Sequence, residues 1–404
     1  MRLMLAFFLA FFINSASASP FKVLVFPHHG NYPIPQGRET VISKVSVTSP
    51  ENCSEYAAIL NEKHEWEKSG EILSAAKSFS LTTQTIQKFK PAKRLTDDVT
   101  ALYFECTSPF KVVRESSLAS YSYDGNFVAI IDQPNQKIEI VNLIEPEKYV
   151  QGVVPAEVGN EWPEEALKAQ AIAARTFSWW TVLNSRTTLL NSTYDLDDTV
   201  EYQAYLGTSN HTVLTDNAVS STANQVMKYD GKVIRAFFSA DSGGKTESSE
   251  NAFGVALPYC VSKTELYDVT KTTTSWTDKI SLADIGKAFS QTVRSLEVSA
   301  ADIDESGRAS KVTLTTADGK TIKVSGPIFR QALKLRSTLF QLSLAQENGQ
   351  EFALITGKGY GHGVGLAQVG AKQYALQMAW TFDQILKFYY TGITLESVNN
   401  EYFE

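Results

Sequence analysis

A carboxyl group among apolar residues is the first feature that suggests chemistry. Glu157 ends the stretch Gly152-Val153-Val154-Pro155-Ala156-Glu157, with Trp162 close behind. Apolar surroundings penalise the charged carboxylate and raise its pKa, and a proton kept near neutral pH is what a general acid needs. An acid at a helix start would be the opposite case, because the helix dipole lowers its pKa. Lys168 and Arg175 lie two helical turns apart on one helix face. They are candidates to orient Glu157 or to hold an anionic group of a substrate; the plainer alternative is a solvated charged face.

A second cluster lies near the C-terminus. Glycine recurs at positions 357, 359, 361, 363 and 365, with Lys358, Tyr360 and His362 between, and Gln368 follows. Such a backbone allows positive φ and close approach of a ligand, so an amine, a phenol and an imidazole would line a cleft. The spacing matches neither the phosphate-binding loop ending in Gly-Lys-Ser/Thr nor the dinucleotide fingerprint. A third cluster, residues 238–246, is a turn of small polar residues in which Ser239 is a candidate substrate contact. Neither Ser239 nor Ser242 stands in a G-x-S-x-G elbow, and the chain has only five histidines to serve as a base, which disfavours a serine hydrolase. His28 and His29, in a Pro/Gly loop, read as exposed side chains. No C-x-x-C or H-x-x-x-H pair is present, so no structural zinc site is expected.

These groups need elements to hold them. Residues 21–26, 127–131 and 137–141 read as strands, and residues 54–77 have helical character broken near Gly70. Residues 149–154 predict a short apolar strand ended by Pro155. A helix then opens after Trp162-Pro163, with Glu164 and Glu165 in its first turn. Small residues on more than one of its sides predict a central, buried helix. Asp230-Gly231 and Asp318-Gly319 each sit between alternating runs and predict hairpins. The glycine turn leads into a helix over about 366–376, and an amphipathic helix spans about 382–390. Strands and helices do not alternate regularly, which predicts an α+β fold: a mixed, largely antiparallel sheet, a central buried helix and a substrate cleft between lobes. A boundary near residue 118 separates an N-terminal mixed lobe (19–118) from the main domain (119–395), which holds a hairpin-rich lobe over about 225–350. A tail covers 396–404.

The chain has 404 residues, 43% hydrophobic and 20% charged, as expected of a globular protein with a sizeable core. A net charge of -7 argues against nucleic-acid binding and against bulk attraction to an anionic surface. Residues 1–18 combine Arg2, a short apolar run and Ala16-Ser17-Ala18, which predicts a secretory leader and an exported chain. No later run reaches the about 20 apolar residues of a membrane span, so no anchor is expected. In an oxidising compartment Cys53 and Cys106 are the candidate disulfide, which leaves Cys260 as a buried thiol.

Four stretches together resemble one family. Residues 149–180 (YVQGVVPAEVGNEWPEEALKAQAIAARTFSWW), the hairpin and turn over 235–259, residues 325–340 (SGPIFRQALKLRSTLF) and residues 356–392 resemble, in that order, the stage II sporulation protein D family (SpoIID/LytB). The likeness covers most of 119–395 and none of 19–118. It implies an exported protein acting on peptidoglycan; sporulation members are similar to lytic transglycosylases that cut glycan stripped of its stem peptides. The family's acid falls on Glu157, its Lys and Arg on Lys168 and Arg175, and its histidine on His362; Tyr360 and Gln368 match cleft positions. Some members hold zinc through His and Cys around the small polar turn. Ser239, Asp241 and Ser242 stand there in this chain, so neither zinc nor another cofactor is expected. Other relatives are described as amidase enhancers, so the alternative is a non-catalytic glycan-binding module acting with a cell-wall amidase. For the enzyme one carboxyl group suffices. A water-using glycosidase needs two, about 5 to 9.5 Å apart, whereas a lytic transglycosylase uses the sugar's own C6 hydroxyl as nucleophile.

Overall fold

The computed structural model describes residues 20–25, 44–61, 63–83, 99–114, 120–132, 135–188, 193–199 and 202–398. The expected leader, the His28–His29 pair and the end of the expected tail lie outside the described residues.

Nine strands build the first sheet: β1 (Phe21–Val25), β2 (Lys44–Leu60), β3 (Trp66–Thr82), β4 (Val99–Cys106), β5 (Phe110–Arg114), β6 (Ser120–Tyr123), β7 (Asn126–Asp132), β8 (Lys137–Ile144) and β9 (Leu196–Asp197). The order is β6-β5-β2-β4-β7-β8-β1-β9, with β3 also paired to β2. All pairs are antiparallel except β1–β9, and the sheet curls. It curls at β2, which pairs β5 along its first part and β4 along its second. The boundary expected near residue 118 falls inside this sheet, between the paired strands β5 and β6.

Residues 54–77 are strand, not helix. Their Ala, Glu and Lys favour helix locally, but β2 is paired on both sides and its Cys53 is disulfide-bonded to Cys106 directly opposite on β4. Pairing and burial outweigh a propensity worth tenths of a kcal/mol per residue. Gly70, at φ 76°, lies beside an irregularity in the β2–β3 ladder and does not end a helix.

Residues 149–154, expected as a strand ended by Pro155, are instead helical, within α1 (Pro146–Glu157), and Pro155 lies inside that helix. Pro146 starts the helix, where a missing N–H costs nothing. Tyr149 with Val153, and Val150 with Val154, then face the sheet at i,i+4 spacing, all fully buried. The long helix α2 (Glu164–Thr188) is central, as its composition predicted. Leu167, Ala171, Ala174 and Val182 face the core between sheet and α1. Ala166, Ala169, Ile172, Ala173 and Phe177 face a second core.

After α3 (Val213–Ser221), which packs in the first core, β10 (Gln225–Tyr229) turns through β11 (Lys232–Val233); β10, β12 (Phe238–Ser239), α4 (Ser249–Phe253) and the C-terminal elements contribute to the second core, and β10 reaches both cores through Val226 and Met227. The Asp230-Gly231 hairpin forms, both residues at positive φ. Its second strand is shorter than expected because Phe238–Ser239 instead pair in parallel with Leu366–Ala367. A third, hairpin-rich unit follows: β13 (Ser275–Ser281), α5 (Leu282–Phe289), β14 (Val293–Glu297), β15 (Lys311–Thr316), β16 (Thr321–Ser325), α6 (Gly326–Leu333), β17 (Phe340–Glu347) and β18 (Gln350–Lys358). It has its own core around Trp276, Phe329 and Ile355. The chain then returns through β19 (Leu366–Ala367), α7 (Gln368–Gln377), α8 (Phe382–Tyr389) and β20 (Thr394–Ser397), which pairs with β10. The fold is α+β.

Candidate active site

Glu157 is the last residue of α1, so it ends one helix and does not open the next. The negative end of a helix dipole disfavours a carboxylate there. The side chain is half-buried, and burial raises its pKa above the ordinary carboxyl value. Two hydrogen bonds work against this without reversing it: the Ala204 N–H donates to Oε1 at 2.7 Å, and Gln368 Nε2 donates to Oε2 at 3.3 Å. None of the forces on its ionisation comes from a second carboxylate among the described residues.

The segment carrying Ala204 is pinned from three sides. Gln203 donates to Ser178 on α2 at 3.0 Å, and the Tyr205 hydroxyl donates to Asn142 on β8 at 2.8 Å. Gly152 supplies the third contact, since a Cβ there would stand 2.5 Å from the Tyr205 ring. The glycine of the GVVPAE stretch therefore lets the Ala204 segment close against α1, opposite Glu157. On the other side, the β12–β19 pairing and the Val369 N–H to Ala240 bond set the start of α7, which aims Gln368 at Glu157.

Ser239 lies on this second side. It is 7% exposed, and its Oγ has no hydrogen-bond partner. Gly361 packs on it at φ 107°, and a Cβ at 361 would come within 2.7 Å of the Ser239 Cβ, so this glycine serves both turn and packing. His362 follows. Its Nδ1 accepts the Val364 N–H at 3.0 Å, it makes a backbone hydrogen bond with Phe238, and its ring meets Phe237 and Phe253 edge-on. Burial, aided by nearby arginines, pushes its pKa down to about 3, so the imidazole is neutral and braces the loop. Tyr360 projects outward, 54% exposed, while its backbone pairs with Asp241. Lys358 is exposed at the end of β18.

The two cations of α2 are committed elsewhere. Arg175 is fully buried and grips both oxygens of Glu147 at 2.7 and 2.8 Å, with further bonds to Thr222 and to the carbonyls of Val219 and Gln225. Lys168 lies 2.7 Å from Glu164 and 3.1 Å from Glu165, the acids of its own first turn. The structure thus brings Glu157 and Gln368 together, sets Ser239 and His362 on the adjoining strand and loop, and ties Lys168 and Arg175 into ion pairs. Sequence reasoning missed the Ala204 N–H, since a backbone donor leaves no side-chain signal.

Comparison with known proteins gives the family of the chain. The description "Stage II sporulation protein" matches residues 134–229, which hold Glu157 and Ala204, and a domain of unknown function (DUF8618) matches residues 257–365. The chain belongs to the stage II sporulation protein D family. It is 32% identical over 290 residues to the stage II sporulation protein D of Bacillus subtilis, covering 66% of this chain and 77% of that one. An uncharacterized protein of Brachyspira hyodysenteriae is 36% identical over 273 residues, 67% of this chain and 72% of its own. The amidase enhancer of Bacillus subtilis is 29% identical over 295 residues, and the match spans 40% of its length. Among the described residues no helix is long and apolar enough to cross a membrane.

Proposed function

We propose that the protein is a peptidoglycan lytic transglycosylase of the cell envelope. It would cleave the bond from N-acetylmuramic acid to N-acetylglucosamine in glycan strands stripped of stem peptides. The observation that carries this reading is Glu157: a half-buried carboxyl group with raised pKa, no carboxylate partner acting on it, and a fixed backbone donor on one oxygen. In its protonated state Glu157 donates to the glycosidic oxygen. Gln368 suits this state too, because turning its amide over presents the oxygen as an acceptor. As charge develops at C1, the new Glu157 carboxylate takes the proton of the sugar's C6 hydroxyl. That hydroxyl closes on C1 and leaves a 1,6-anhydro end. The Ala204 N–H steadies the carboxylate in this second role. Tyr360, exposed, would meet sugar ring surfaces, whereas the Ser239 Oγ is closed off from solvent behind them.

Incubation with glycan strands, with and without stem peptides, should yield anhydro-terminated products by mass spectrometry. Glu157→Gln should keep glycan binding and lose turnover by about 10²-fold or more. Unchanged turnover in that variant refutes the assignment. The match to the amidase enhancer favours a second reading, a glycan-binding partner of a cell-wall amidase. In that case Glu157→Gln leaves stimulation of the amidase intact, and no anhydro product forms with either protein.

A further inference from the structure

We propose that Arg235 is a carboxylate-binding residue that selects glycan bearing free acidic groups over neutral glycan. The inference rests on the reading of this protein as one that acts on glycan strands, and it names the group by which the strand is chosen.

Arg235 lies between β11 and β12, half-buried. Its guanidinium carbon stands 4.6 Å from the Trp180 ring and 4.6 Å from the Phe237 ring. Ring faces hold a cation in place but do not take up its N–H donors as a carboxylate does. Among the described residues no carboxylate pairs with Arg235, and its Nε–H is buried without an acceptor. Other inward-facing guanidinium groups are treated differently. Arg175 is clasped by Glu147, Arg186 by Asp195, and Arg308, though its Nε is likewise unpaired, by the carbonyls of Ser242 and Lys245. Arginine stays charged at any working pH, so Arg235 is a desolvated cation awaiting an anion.

Its position ties it to the site. Arg235 stacks on the Phe237 ring, and Phe237 meets the His362 ring edge-on at 5.8 Å. His362 belongs to the loop that leads to Gln368, whose amide donates to Glu157. The unpaired cation therefore lies one ring away from the loop that helps to hold the carboxyl group.

The chemical class of ligand follows from the glycan. The lactyl group of N-acetylmuramic acid is a neutral amide while a stem peptide is attached and a carboxylate once the peptide is removed. A guanidinium fork matches a carboxylate in two parallel hydrogen bonds and has no such match with an amide. Arg235 would thus read peptide removal directly.

The test is equilibrium binding by the Glu157→Gln protein, which holds strands uncleaved. The probes are peptide-free glycan strands and the same strands with lactyl carboxylates converted to N-methylamides. The free-acid strands should bind about tenfold or more tightly, the scale of a charge-assisted hydrogen bond. Adding Arg235→Gln should abolish the preference while leaving binding of the amidated strands unchanged. Adding Arg235→Lys should keep part of the preference; it is also the second arm if the glutamine variant melts early. No preference in the parent protein, or a full preference in Arg235→Gln, overturns the inference and leaves the glycan reading standing. Failure of the parent to bind either strand sinks both.

Discussion

Replacing Glu265 by glutamine tests how burial sets charge beneath the site. Glu265 is 6% exposed. Its carboxylate accepts from Ser242 Oγ at 2.8 Å and from the Tyr389 hydroxyl at 3.0 and 3.1 Å. Ser242 in turn takes the Gly244 N–H at 3.1 Å, so this acid props the turn that follows Ser239. Burial pushes the pKa up, the hydrogen bonds pull it partly back, and it stands at about 7 against an ordinary 4.5. A folded-state pKa above the unfolded one means that the native state holds the proton more tightly. The stability this contributes is complete below pH about 4.5 and is lost as pH rises through about 7. At about 1.4 kcal/mol per pH unit the loss is about 3 kcal/mol. Glutamine does not ionise, so the stability of Glu265→Gln relative to the unmodified chain should improve by about 2–3 kcal/mol between pH 4.5 and pH 8. Urea unfolding followed by tryptophan fluorescence at both pH values measures this. Glu157 and Glu247, whose pKa values are also raised, cancel in the difference because both proteins carry them. A relative stability that does not change with pH would refute the argument from burial.

Other variants separate packing roles from contact with substrate. Arg175→Met should cost about 3–5 kcal/mol in thermal unfolding, because it leaves the partners of a buried ion pair unsatisfied. A normal melting temperature combined with lost glycan binding would return Arg175 to the cleft. Ser239→Ala removes a buried hydroxyl that has no partner among the described residues, so stability should hold or rise by up to about 1 kcal/mol and glycan turnover should stay unchanged; a clearly destabilised variant contradicts this. Loss of the Cys53–Cys106 bond, which joins residues 53 apart in sequence, should cost about 2–4 kcal/mol. Reductant should lower the unfolding free energy of the unmodified chain by the same amount, seen as a lower melting point, and leave the double Cys→Ala variant unmoved.

Some of the fold was legible because local chemistry and tertiary setting agree. Asp230-Gly231 and Asp318-Gly319 make hairpins because each meets the positive-φ demand of a tight turn locally. The small residues of α2 mark it as central because two packed faces leave no room for bulk. The errors came where distant partners overrule propensity. Residues 54–77 look helical until β3, β4 and β5 pair with β2. The valines of α1 look like strand until their i,i+4 burial against the sheet is seen.

The site divides along the same line. Sequence alone determined which groups carry usable chemistry: an acid in an apolar stretch, a glycine-spaced loop, a small polar turn and a pair of cysteines. Tertiary structure decided what each does. It turned Arg175 inward to Glu147, drew the Ala204 N–H onto Glu157 and left Arg235 on two rings with no counter-charge among the described residues. Residue type sets what a side chain can exchange with its surroundings, but pKa and pairing depend on desolvation and on neighbours that only the folded chain brings near.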